Sequence, residues 1–120
     1  MFKYTICDKE LVIKKDGVEV WKGKPNGCLV RSVLAIPNDD DCIVLCEREQ
    51  TSPKVFANLF RVSPQGNIVW IAKTPESIAV PDRYVHMEMV HGELFANSWT
   101  SYRVRIDTRS GRIVEAIFTK

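Results

Sequence analysis

Apolar and polar residues alternate with a period of two along most of this 120-residue chain, and Gly, Pro and Asn/Asp clusters break the alternation at intervals. That pattern predicts half-buried β-strands joined by turns. Apolar residues at helical spacing never persist without an intervening Pro, Gly or β-branched cluster, so no helix is expected. The predicted strands are 11–14, 18–22, 28–36, 42–46, 55–62, 67–73, 84–90, 93–99, 102–106 and 112–119. The run Cys42-Ile43-Val44-Leu45-Cys46 is apolar on both faces, as expected of a strand covered on both sides. Asp16-Gly17 suits a two-residue hairpin turn, where both residues must accept a positive φ. His91-Gly92 reads as another turn. The segment 47–53 reads as a polar loop, and 74–82, with Pro75 and Pro81, as a connection too interrupted for a strand. The class is all-β, with about ten antiparallel strands.

Three hairpins share one shape. Leu11 to Trp21, Leu59 to Trp70 and Tyr102 to Glu115 each run strand, turn, glycine, apolar strand, and the first two end on tryptophan. Their turn glycines, Gly17, Gly66 and Gly111, are separated by 49 and then 45 residues. The elements between hairpins repeat as well. Ser32 to Ile36 corresponds to Tyr84 to Met89, and Asp41 to Cys46 to Gly92 to Asn97. A four-strand unit recurring at such a period is the spacing of a β-propeller blade.

The hairpins ending in apolar-Val-Trp resemble the repeat of PQQ-type and related, WD-like β-propellers. In that repeat a Leu, Asp, turn, Gly, apolar, Trp hairpin forms the two outer strands of a blade. The aspartate is absent from the first two hairpins here, and Glu115 stands where the third tryptophan would be. The resemblance implies propeller-like repeats and no quinone cofactor, because none of the quinoprotein ligand motifs is present. Counted this way the chain supplies about two and a half blades, too few to close a ring. Three arrangements answer the shortfall: a homodimer pairing half-blades into a five-bladed ring, an open stack with capped edges, or a compact β-sandwich or barrel.

Composition narrows the function classes. At this length one domain, 1–120, is expected, and it needs neither metal nor disulfide to fold. Seventeen Lys and Arg against fifteen Asp and Glu give a net charge of +2, well short of a nucleic-acid footprint. Arg103 and Arg105 share a strand face and, with Arg109 and Arg112, form the most basic stretch; Asp107 interrupts it, and a solvated outer face is the plainer reading. No apolar run is long enough for a signal peptide or a membrane span, so a cytoplasmic setting with reduced Cys7, Cys28, Cys42 and Cys46 is the expectation. Cys42 and Cys46 lie on one strand face about 13 Å apart, too far for a disulfide, and read as core filler.

Candidate chemistry is sparse. His86, Glu88, His91 and Glu93 form the densest set of potential metal ligands; His86 and Glu88 share a face, and Glu93 returns after the turn. The bland alternative is a polar hairpin, since the helical spacing of zinc proteases is absent. Asn38-Asp39-Asp40-Asp41 reads as a solvated turn, because a calcium loop needs a longer spaced pattern. No nucleophile elbow, phosphate-cradling loop or dinucleotide fingerprint is present, so no cofactor is expected. Trp21 and Trp70 occupy equivalent positions and read as packing between repeats. Trp99 differs: it sits at a polar strand end near Tyr102 and Arg83, where an amphipathic ring serves recognition. The expected function is a non-enzymatic module, of the kind found among small accessory bacterial proteins, that binds a protein partner or itself. Its binding residues would be Trp99, Tyr102, Arg103 and Arg105. The rival is a small-molecule binder or metal-assisted hydrolase rimmed by Trp99, His86, His91 and Arg103.

Overall fold

A computed structural model describes residues 1–47, 57–75 and 82–119. Most of the polar loop and of the Pro-containing connection, with Val55 and Phe56 of a predicted strand, falls outside the described residues. The described residues form eleven strands: β1 (Phe2–Cys7), β2 (Glu10–Lys15), β3 (Val18–Gly23), β4 (Val30–Ala35), β5 (Cys42–Cys46), β6 (Leu59–Val62), β7 (Ile68–Ile71), β8 (Tyr84–Val90), β9 (Glu93–Ser98), β10 (Tyr102–Ile106) and β11 (Ile113–Phe118). A 3-10 turn at Pro25–Gly27 is the helical element among them. All pairing is antiparallel, in three meanders: β1-β2-β3, β4-β5-β6-β7 and β8-β9-β10-β11.

The sheets stack in chain order on two apolar layers. Leu11 and Ile13 of the first sheet meet Val30, Cys42, Val44, Cys46, Phe60 and Val62 of the second. The opposite face of the second sheet, with Ile43, Leu45, Leu59 and Trp70, meets Tyr84, Met87, Leu94, Ala96, Val104 and Ile106 of the third. The middle sheet is therefore covered on both sides, which is why all five residues of β5 are buried. Cys42 and Cys46 do fill the core on one face, as the strand pattern predicted.

One strand was not foreseen. β1 pairs with β2 through a two-residue turn at Asp8-Lys9, both left-handed with φ of 49° and 62°. Neither is glycine, so the turn signal that marks Asp16-Gly17 and His91-Gly92 is missing. The first repeat thus holds three strands, lacking only the innermost, instead of half a unit.

The repeat is structural as well as sequential. β2, β6 and β10 each carry a register shift at the same place, after Ile13, Arg61 and Arg105. Opposite those residues stand Trp21, Trp70 and Glu115. This alignment equates Asp41 with Glu93 and Ser32 with His86, one and two residues away from the pairing read off the sequence. The bulges in β4 (Val30/Ser32) and β8 (Tyr84/His86) fall at equivalent places, and the offset arises because the connection from β4 to β5 is longer than the turn from β8 to β9. A one-residue slip exchanges the two faces of a strand, so the correction decides which side chains look outward.

Trp21 and Trp70 each dock on the turn of the following sheet. Trp21 lies over Gly66, and Trp70 over Gly111, where an added Cβ would sit 2.7 Å from the indole. The Trp70 indole also donates from Nε1 to the Thr108 carbonyl at 2.7 Å. Both glycines have positive φ, 82° and 76°, and their bare Cα atoms let the ring approach. Gly17, at φ 84°, has open space around it. Gly17→Ala is therefore expected to cost about 1 kcal/mol, for the left-handed backbone alone. Gly66→Ala adds a steric clash worth about 1–3 kcal/mol. Urea unfolding of both variants measures the difference, and equal losses would contradict the docking role of Gly66.

Candidate functional site

The outward face of the third sheet carries most of the charged residues singled out in the sequence. Arg103 pairs with Glu88, donates to Asn97 Oδ1 at 3.0 Å, and lies 4.8 Å from the Phe95 ring centre. Arg105 reaches Glu93 at 3.5 Å and Glu115 at 3.9 Å. Such half-exposed pairs contribute about 0–1 kcal/mol each. Their meaning comes from the repeat: Glu88, Asn97, Arg103 and Glu115 stand where the middle sheet has Leu34, Leu45, Leu59 and Trp70. Residues that cement one sheet to the next are polar in the last. The outward face of the first sheet is altered in the same sense. Lys3, Thr5, Cys7 and Lys14 replace the buried Cys42, Val44, Cys46 and Val62. Both ends of the stack present polar surfaces.

The four candidate metal ligands do not converge. Glu88 and Glu93 are engaged by the two arginines. His86 and His91 are both exposed and lie five strand residues apart, about 16 Å. Among the described residues no group of three or more His, Cys, Asp or Glu is placed to hold a metal ion.

Trp99 sits at the other end of β9, in the β9–β10 turn, with 60% of its surface exposed. The turn is built around Asp82, whose residue is only 3% exposed. Its carboxylate accepts from the Arg83 N–H at 2.9 Å, from the Thr100 N–H at 3.0 Å and from the Thr100 hydroxyl. The Trp99 N–H donates to the Arg83 carbonyl at 2.8 Å, and the Arg83 guanidinium stacks 4.5 Å from the indole centre. Ser98 accepts at its hydroxyl from the Tyr102 N–H and closes the turn. Below it, Asn58 stitches the second sheet to the third: Nδ2 donates to the Cys46 and Tyr84 carbonyls, and Oδ1 accepts from the Tyr84 N–H. The indole is thus held out from a rigid, fully bonded base.

The residues predicted to bind therefore occupy three places. Trp99 stands at the turn beside Arg83. Tyr102 leans inward, its ring 5.4 Å from that of Phe118. Arg103 and Arg105 belong to the polar end face. His91 and Trp99 are separated by the whole of β9, so the rim imagined for the hydrolase is not assembled. Asp82 and Asn58 carried no signal in the sequence: Asp82 fell in the Pro-containing connection and Asn58 within the predicted strand 55–62.

A second polar cluster lies at the opposite end of the strands. Arg61, with a side chain only 12% exposed, donates to Asp41 at 2.7 Å, to Asp39 at 2.9 Å and to the Thr108 carbonyl at 2.8 Å. The Asp39–Asp41 turn, expected to be merely solvated, instead joins two sheets. The Asp41 N–H, and after it the Arg61 guanidinium, hold the Asp39 carboxyl below the usual range. Asp107 is lowered likewise by the Arg109 N–H and the Ser110 hydroxyl. Burial pushes the neighbouring Cys42 thiol up to about 12, so it is no nucleophile at neutral pH.

Carboxyls lowered in the folded state stabilise it above their unfolded pKa of about 3.9, and that stability is lost as pH falls through the folded values. Stability is therefore expected to be flat from neutral pH to about 5 and to fall below about 4. Asp39→Asn and Asp107→Asn should each flatten the acid limb in urea midpoints measured against pH. An unchanged acid limb in both variants would contradict the assignment.

Three antiparallel meanders, docked tryptophan to glycine and polar at both ends, define an all-β repeat module with Trp99 and Phe118 more than half exposed. The chain belongs to the family described as a domain of unknown function (DUF7957), whose model matches residues 1–118. No curated protein matches it.

Proposed function

We propose that the chain is a non-enzymatic protein-interaction module, an open stack of PQQ-propeller-like sheets that recognises its partner through Trp99 and Arg83. The observation that carries this reading is the rigid presentation of an exposed indole by a buried carboxylate. A large ring held in place loses little conformational entropy on binding, which is why Trp and Arg dominate binding hot spots. The Arg83 guanidinium on one ring face leaves the other free and adds a charge at the rim. The open-stack reading is supported by the end faces. The third sheet lacks the docking tryptophan, and the first sheet has a two-residue turn, Asp16-Gly17, where the others have longer docking turns. A ring closed by a second copy would have to join two polar faces without that contact. An exposed Cys7 fits the reducing cytoplasm in which we place the protein.

Sedimentation is expected to give a monomer of 13.7 kDa; a stable dimer would overturn the open stack. For the binding surface, the partner recovered from source cells by the full chain is identified, purified and titrated by calorimetry. Trp99→Ala should weaken it by about tenfold to a hundredfold, the range of a hot-spot aromatic, with thermal unfolding unchanged. Equal affinity for Trp99→Ala, or recovery of no stoichiometric partner, would end the proposal.

A further inference from the structure

Among the described residues the outer edge of β11 is unpaired, and the strand carries exposed apolar side chains that the polar ends and the Trp99 turn do not explain. Sheet edges left unpaired invite another strand, and proteins usually blunt them with charge, brevity or bulges. Here β1 carries Lys3, β3 Glu19 and Lys22, β4 Arg31, and β8 His86 and Glu88, while β7 has only four residues. β11 has six, with the sequence Ile-Val-Glu-Ala-Ile-Phe. Val114, Ile117 and Phe118 are each more than half exposed, and the single charge, Glu115, is turned to Arg105. The strand is held firmly from within: the Thr119 N–H and hydroxyl both donate to the Ser101 carbonyl at 2.8 Å.

Beside the start of β11 lies a groove of about 460 Å³ between the second and third sheets, a size suited to ligand side chains. Ile71 and Ile113 give it an apolar lining, and Lys73 and Arg112 stand on its rim. Among the described residues neither cation has an ion-pair partner.

From this juxtaposition we propose that β11 and its groove dock an extended acidic peptide segment of a protein partner, which adds a strand to the third sheet. Backbone hydrogen bonds to the open edge supply affinity, alternate apolar side chains extend the face of β11 that bears Val114 and Phe118, and a carboxylate meets Lys73 and Arg112. Charge decides against a second copy as occupant. The one acid on β11 is already held by Arg105, so a self-paired edge brings nothing to the two cations.

The test uses the full chain, isotope-labelled, titrated with the capped octapeptide Ser-Glu-Val-Glu-Val-Glu-Val-Ser and with its counterpart bearing Lys for Glu. The acidic peptide should shift and protect β11 amides, bind at least tenfold more tightly than the basic one, and weaken as salt rises. Lys73→Glu combined with Arg112→Glu should reverse the preference. Phe118→Lys should abolish binding with cooperative unfolding intact, and Trp99→Ala should leave it unchanged, which separates this site from the Trp99 surface. Equal binding of the two peptides, or shifts centred away from β11, would overturn the proposal. So would a concentration-dependent dimer lost in Phe118→Lys, which would give the edge to a second copy.

Discussion

The contact between a tryptophan on one sheet and a turn glycine on the next is the interaction on which the stack depends. A β-meander by itself leaves both faces open to water, and three meanders share a core only if they hold a fixed distance and angle. Trp21 over Gly66 and Trp70 over Gly111 set both. The ring fills the space that a side chain at the glycine would occupy, and at Trp70 the indole N–H also satisfies a carbonyl of the next turn. Removing such a ring would lose about 3–5 kcal/mol, a large part of the stability of a domain this size.

The rest of the architecture follows from where that contact is repeated and where it stops. Between the second and third sheets, Arg61 supports the tryptophan by bonding the Thr108 carbonyl while held by Asp39 and Asp41. The equivalent position on the third sheet, Arg105, keeps its acid in Glu93, yet the tryptophan has become Glu115 and the flanking leucines are Arg103 and Glu88. An array of repeats must end on faces that tolerate water, and this substitution pattern makes such a face. Arg103 and Arg105 lie on the outward face of the third sheet, each paired with glutamate.

Local rules and the global fold conflict at few points. β1 was hidden because its turn, Asp8-Lys9, takes the left-handed conformation without glycine, at a strain other contacts offset. One such contact is Tyr4, whose hydroxyl bonds the Asp40 carbonyl of the second sheet, with burial raising its pKa. The register of the repeats was misread by one or two residues because the β4–β5 connection is longer than the β8–β9 turn, and no composition signal marks where its extra residues fall. The Trp99 turn was legible as an exposed aromatic. Its foundation in Asp82 was not, because a buried carboxylate with three donors looks, in one dimension, like any aspartate after a proline.

The sequence by itself determined the class, the hairpins around Asp16-Gly17, Gly66 and Gly111, the doubly covered β5 and the packing role of Trp21 and Trp70. Those features rest on period and turn chemistry, which are local. Only the tertiary structure decided which faces of the three sheets meet, that Arg61 bridges two of them, that His86 and His91 stay apart, and that β11 is an edge strand among the described residues. Each of these depends on side chains tens of residues apart sharing one surface, and a slip of one residue exchanges the surfaces. Alternation tells that a strand has two faces; the stack alone tells which neighbour each face has.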